Sequence, residues 1–252
     1  MTSEYKGTAI FLCDLTGIAA KPWVEAGYRD VLVDPQHPET SNSGPVEKIS
    51  ATILEAMPRL SQIIRTENVV IVIGFPPCTD VAVSGSRWFE TKRAKDPHFQ
   101  AKAALVAEQC RMLGMAAGCP WAFENPVSVF SSIFGSPDYT FHPYQFTGIV
   151  VDDNYTKQTC LWTGGGFVHP VENIHPMVSE AISRVKQHFG RMVAKKKALE
   201  VFTDSSIVAD WYPDNRIHEC PPSDERANIR SATPEGFSRA VFLANNPEMR
   251  DL

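Results

Sequence analysis

The chain has no CxxC pair, no apolar run longer than a strand, no internal repeat and no excess of positive charge. Each absence removes a class of function. Its six cysteines, Cys13, Cys78, Cys110, Cys119, Cys160 and Cys220, are scattered, so they read as reduced thiols rather than as a disulfide framework or a zinc site. His218 and Cys220 form the only close His/Cys pair; without a second pair at ligand spacing the segment reads as a polar loop, and no metal is expected. The apolar runs are far short of a bilayer span, and Met1-Thr2-Ser3-Glu4-Tyr5-Lys6 lacks the basic-then-apolar order of a signal peptide. No membrane partner is expected, and the location expected is the cytoplasm. The formal charge of −5 argues against a protein that coats long stretches of nucleic acid by charge alone. Local contacts stay open, because basic residues gather at Arg87, Lys92, Arg93 and Lys95, and again at Arg184, Lys186, Arg191, Lys195, Lys196 and Lys197. The competing reading of both groups is a solvated helix face. Oligomeric state is left open.

What is present is an alternation. With 252 residues, 43% of them hydrophobic and 21% charged, the chain is long enough for one α/β core and a small appendage. Residues 8–13 form an apolar run ending at Asp14, a turn holds Gly17, and Pro22 suits the first turn of a helix. Val31-Leu32-Val33 ends at Asp34, where Pro35-Gln36-His37-Pro38 stops the strand. Helical spacing from about Val46 to Ile64 places Ile49, Ile53, Met57, Leu60 and Ile64 on one face, and leads to the apolar strand Val69 to Ile73. A helix over Phe99 to Met115, with Ala101, Leu105, Val106 and Met112 on its apolar side, precedes a strand at Trp121 to Phe123. Strands alternating with helices predict a doubly wound, mostly parallel sheet. Thr159-Cys160-Leu161-Trp162 reads as a strand completing it in antiparallel or irregular fashion. A helix from Val178 to Phe189, a poorly periodic stretch through Asp224, and a last helix from Pro234 to Ala244 facing inward through Phe237, Ala240, Val241 and Leu243 close the chain. The expected partition is an α/β body over 1–166, an irregular or helical insertion over 167–230 and a terminal helix over 231–252.

Chemistry-bearing residues gather where strands end. Asp14, Asp34, Cys78 and Glu124 each follow a predicted strand, and in a doubly wound sheet such ends converge on one crevice. Gly74-Phe75-Pro76-Pro77-Cys78 presents a thiol on a stiff double proline directly after a buried strand, which makes Cys78 the candidate nucleophile; the plainer reading is a buried small hydrophobe. Asp34 is placed to accept hydrogen bonds from ribose hydroxyls, or else to cap a turn. A thiol and a carboxyl group in one crevice suit attack on an electron-poor ring. On a pyrimidine the thiolate adds to C6 while the acid protonates or hydrogen-bonds N3, leaving C5 nucleophilic. Burial among Trp121, Phe123 and Pro126 would keep Glu124 protonated, and Asn125 would lock the carboxyl group or the proline loop; the alternative for Glu124-Asn125-Pro126 is a plain turn.

At these residues the chain resembles the cytosine-C5 DNA methyltransferases, most of all their short phage-type members. Pro76-Pro77-Cys78 followed by Ser84-Gly85 is similar to the family's nucleophile loop, and Glu124-Asn125-Pro126 to its Glu-Asn-Val motif. Asp14-Leu15-Thr16-Gly17 with Glu25-Ala26-Gly27-Tyr28 resembles its cofactor loop, and Asp34 the acid of its second strand. The resemblance implies a Rossmann-like fold of the S-adenosylmethionine-dependent methyltransferase type, with the donor held by Asp14, Leu15, Thr16, Gly17, Asp34 and Pro76. It implies catalysis by Cys78, Glu124, Asn125 and Lys157, the last in a motif, Tyr155-Thr156-Lys157-Gln158-Thr159, that supports a flipped base, and it places substrate contacts at Ser84 and Arg87. DNA is the implied partner, residues 167–230 the implied target-recognition segment, residues 231–252 a helix packing back on the catalytic domain, and host cytoplasm the location if a phage encodes it. The same ring chemistry on a free cytosine nucleotide or on RNA, a different cofactor-derived group on C5, and an inactive nucleic-acid-binding relative remain as alternatives. An amino-methyltransferase would place an aromatic residue where Cys78 stands.

Overall fold

In the computed structural model, which describes residues 4–221, 223 and 226–249, two compact units are distinguished. The first comprises 1–140, 159–169 and 242–252; the second comprises 141–158 and 170–241. Both ends of the chain, and Asp224 at the end of the stretch expected to be irregular, lie outside the described residues.

The first unit is built on an eight-stranded sheet: β1 (Thr8–Leu12), β2 (Arg29–Val33), β3 (Ser41–Ser43), β4 (Val46–Ile49), β5 (Val69–Gly74), β6 (Trp121–Pro126), β7 (Tyr139–Phe141) and β8 (Thr159–Gly164), in the order β3-β4-β2-β1-β5-β6-β8-β7. Strands β4, β2, β1, β5 and β6 are parallel to one another; β3 runs antiparallel to β4, and β8 antiparallel to β6. This is the doubly wound, mostly parallel α/β arrangement, Rossmann-like in kind. Every residue of β1 is buried and β5 is buried from Val70 onward, as strands covered on both faces require.

The helices that cover the sheet begin and end where local chemistry dictates. Helix α1 (Lys21–Glu25) carries Pro22 in its first turn. Helix α2 (Ile53–Thr66) starts in a capping box: Glu55 N–H donates to Thr52 Oγ1 at 3.3 Å, and Thr52 N–H donates to Glu55 Oε2 at 2.9 Å. Helix α3 (Phe89–Lys95) is short, and helix α4 (Phe99–Ala117) stops at Gly118, whose φ of 65° is left-handed. Two expectations are corrected here. Val46 to Ile49 is a strand, because its alternation of half-buried and buried residues pairs with β2 on one side and β3 on the other. The buried face of α4 is Ala103, Ala107, Cys110, Leu113 and Gly114, whereas Leu105 and Met112 are exposed. Small side chains win that face because the helix lies close to the strands: a Cβ on Gly114 would stand 2.2 Å from Trp121 Cβ, and one on Gly74 would stand 2.3 Å from Cys110 Sγ.

Residues 242–249 belong to the first unit. Phe242 meets Trp23 edge-on with ring centroids 5.1 Å apart, and Tyr28 Oη donates to Asn246 Oδ1 at 2.6 Å. Leu243, expected to face inward on the helix Glu235–Asn245, is 48% exposed. The second unit has its own core of Val178, Ala181, Ile182, Val185, Ala198, Val208 and Tyr212. Its helix Pro176–Phe189 ends at Gly190, and Tyr212 Oη donates to the Val193 carbonyl at 2.9 Å. The unit's boundaries cut across the partition at 166 and 230, since residues 141–158 pack within it: Phe141 stacks on Phe237 at 3.9 Å, and Gly236 N–H donates to Asp153 Oδ2 at 2.7 Å.

Candidate functional site

Register places four side chains along one edge of the sheet. Leu12 is aligned with Val33 on one side and Gly74 on the other, and Gly74 is aligned with Phe123. Asp14, Asp34, Cys78 and Glu124 therefore all lie at the carboxyl ends of the parallel strands β1, β2, β5 and β6, where open α/β sheets hold ligands. The ends are tied together: Cys13 N–H donates to the Val33 carbonyl at 2.7 Å, and Phe75 N–H to the Leu12 carbonyl at 2.8 Å.

Strand β6 explains the opening. Glu124, Asn125 and Pro126 extend the strand rather than turning after Phe123, because β8 pairs with them through Leu161, Cys160 and Thr159. Strand β5 pairs only as far as Gly74 and departs at Pro76, so the β5-facing edge of Glu124 and Asn125 has no strand beside it. The proline loop crosses that gap. Asn125 Nδ2 donates to the Pro76 carbonyl at 2.9 Å, a buried bond and one of the two contacts anticipated for this residue. Past Cys78 the chain returns to the same strand's continuation: Val83 N–H donates to the Val127 carbonyl, and Val129 N–H to the Val81 carbonyl, both at 3.0 Å. Cys78 is half-buried and Glu124 is buried.

Three of the other thiols are unsuited to nucleophilic work. Burial pushes Cys119 up to about 11. Burial, and then the charge of Glu124, does the same for Cys160. Cys110 is raised further, by contact with Cys13 and by burial. All three stay protonated at neutral pH and face the core.

Asp14 organises the neighbouring loop. Its Oδ1 accepts from Thr16 N–H at 3.0 Å, Thr16 Oγ1 at 3.1 Å and Gly17 N–H at 2.8 Å, while Oδ2 is buried with no partner. Burial raises its affinity for a proton against those three bonds. Gly17 takes a φ of 70°, and Cys13, the one described non-glycine residue with positive φ, takes 58°. Leu15 is half-buried and Thr16 exposed. Asp34 Oδ1 accepts from Gln36 N–H at 2.7 Å. Ser84 and Arg87 lie exposed on the 3₁₀ turn Val83–Trp88, with the Arg87 guanidinium 5.2 Å from the ring centre of Trp88. Lys92 joins α3 to the loop through Asp80 Oδ1 and the Thr79 carbonyl, both at 2.7 Å. Lys157 belongs to the second unit, where its Nζ lies 3.5 Å from the Ala232 carbonyl.

Two polar residues of the first unit escape a reading by pattern. His37, at the end of the turn that Asp34 begins, is buried with Nε2 unpartnered. Asp30 on β2 is fully buried with neither oxygen bonded, and burial followed by the nearby charge of Asp14 pushes it up to about 9. Glu47, on the neighbouring strand β4, shows the contrast: Arg59 Nη2 stands 2.8 Å from it, and Arg29 also bonds it. The signal for His37 was present in Pro35-Gln36-His37-Pro38, which pattern reads only as a strand stop. For Asp30 it was a lone acid opening an apolar run.

Among the described residues no group of three or more His, Cys, Asp or Glu side chains is placed to hold a metal ion, and no helix is long and apolar enough to cross a membrane. No protein-family model matches the chain, and no curated protein matches it in sequence.

Proposed function

We propose that the protein transfers a methyl group from S-adenosylmethionine to C5 of cytosine in DNA. The observation that carries the reading is the bond from Asn125 to Pro76, which links the strand bearing Glu124 to the loop bearing Cys78. A nucleophile and an acid need a fixed mutual position to act on opposite sides of one ring, and a buried side-chain bond supplies it. A donor at the adjoining edge is supported by Asp14 Oδ2 and His37 Nε2, buried polar atoms lacking partners that follow β1 and β2, at the strand ends where such sheets bind nucleosides. Asp14, Leu15, Thr16, Gly17, Asp34 and Pro76 would hold it, and when bound it supplies an electrophilic methyl group.

The chain's residues then act on the base. Cys78 forms a bond to C6 as the C5–C6 double bond opens, and Glu124 neutralises the charge driven into the ring by giving or sharing a proton at N3. C5 would take the methyl group as the donor's sulfur–methyl bond breaks to leave a thioether, the proton on C5 would leave to a base, and the S–C6 bond would break to restore the double bond and free Cys78. A duplex substrate must first expose the base, since C6 is shielded within the stack. Ser84 and Arg87 are the proposed contacts to DNA on the first unit, and residues 167–230 the proposed target-recognition segment.

The test is incubation with methyl-labelled donor and unmodified DNA, RNA or dCMP, followed by nucleoside mass spectrometry. 5-Methyldeoxycytidine from DNA is expected, with Cys78→Ser silent while retaining donor affinity. Label in RNA or dCMP alone would change the substrate, and a fully active Cys78→Ser would remove the covalent step.

A further inference from the structure

We propose that His37 is a second ribose contact for the donor, completing a clamp whose other half is Asp34; this rests on reading the β1–β2 edge as the donor site. Both side chains come from one turn. His37 N–H donates to the Asp34 carbonyl at 3.2 Å, Gln36 N–H donates to Asp34 Oδ1 at 2.7 Å, and Ser50 Oγ donates to the His37 carbonyl at 2.6 Å. The backbone is therefore fixed before any ligand arrives. The imidazole is only 3% exposed, yet its Nε2 has no hydrogen-bond partner, an arrangement native proteins rarely leave without a ligand or water. Asp14, 4% exposed, leaves Oδ2 unpartnered on the same edge.

The charged groups acting on His37 set its state. Burial lowers its affinity for a proton, Asp34 raises it, Lys48 lowers it and Asp14 raises it, with a net lowering. The ring is neutral at neutral pH and offers one donor and one acceptor. A hydroxyl group can donate as well as accept, so it fits Nε2 in either tautomer. A vicinal diol carries two hydroxyls, one for the Asp34 carboxylate and one for the imidazole. Ribose has this arrangement, and neither deoxy form does. A bound water would also satisfy Nε2, but it would not make affinity depend on a hydroxyl of the ligand.

The experiment is calorimetric titration of the full chain with S-adenosylhomocysteine and its 2′-deoxy and 3′-deoxy analogues. Wild type is expected to bind at least one analogue roughly tenfold more weakly than the parent, the scale of one lost hydrogen bond to a buried group. His37→Phe should bind the parent about tenfold more weakly and lose the discrimination against that analogue, while His37→Gln, which keeps a donor and an acceptor, should retain it. Undiminished affinity and discrimination in His37→Phe, alongside loss of binding in Asp34→Ala, would overturn the role of His37 and leave the donor site standing. Failure of folded wild type to bind S-adenosylhomocysteine would overturn the site and the clamp together. If a thermal melt shows His37→Phe unfolded, wild type still decides, because equal affinity for all three compounds would mean that no clamp exists.

Discussion

Glu124 and Asp30 are both buried carboxyl groups, and their surroundings give them different work. Glu124 lies on the strand edge that β5 abandons, within the loop's reach, and Glu124→Gln should lower the transfer rate on the order of a hundredfold or more, the usual scale for a general acid–base group. Single-turnover assays at saturating donor would check it; an unchanged rate would remove the residue from the mechanism. Asp30 has no partner and a proton affinity raised from 3.8 to about 9. The folded state therefore keeps a proton that the unfolded chain releases, and stability should fall as pH rises from about 4 toward about 9. Asp30→Asn, neutral throughout, should flatten that slope and raise the melting temperature at pH 8, by about 2–4 °C for each kcal/mol recovered. Parallel melting curves for the two proteins across the range would refute the assignment. Neither His37 nor Asp30 was legible as an unpartnered group in the sequence, because hydropathy patterns locate buried positions without saying whether a polar atom there finds a partner.

At the scale of elements, the parallel strands were legible because burial on both faces demands continuous apolar runs, and residues 69–73 and 8–13 are such runs. Cys78 and Glu124 were legible for the same reason, as polar residues at strand ends. Val46–Ile49 was not, since Ile49 stands four residues before Ile53 and so satisfies a helical spacing as well as a short alternating strand. The face of α4 was misjudged because apolar residues lie on more than one side of the helix, and Ala101, Leu105 and Met112 are exposed. Close approach to the sheet selects Ala103, Ala107, Cys110 and Gly114 instead, and sends Leu105 and Met112 outward. It follows that Gly114→Ala, ordinarily favourable within a helix, should destabilise the protein by about 1–3 kcal/mol, the cost of overpacking a filled core. Urea denaturation would measure it, and a stabilised variant would mean that the helix can lift from Trp121 without penalty.

At the scale of the molecule, the first unit is assembled from three stretches of chain, the last beginning at Phe242. Phe242→Ala removes the ring that meets fully buried Trp23, and should cost about 2 kcal/mol, less than the 3–5 typical of a wholly buried phenylalanine. Differential scanning calorimetry would register this as a lower melting temperature, and an unmoved transition would make the contact incidental. The partition at 166 and 230 could not anticipate this arrangement, because hydropathy is read along the chain whereas Trp23 and Phe242 meet from far apart in it. During synthesis the strands that carry Asp14, Cys78 and Glu124 emerge long before Phe242 and Asn246. Until they follow, the growing chain lacks both the ring that meets Trp23 and the amide oxygen that accepts from Tyr28.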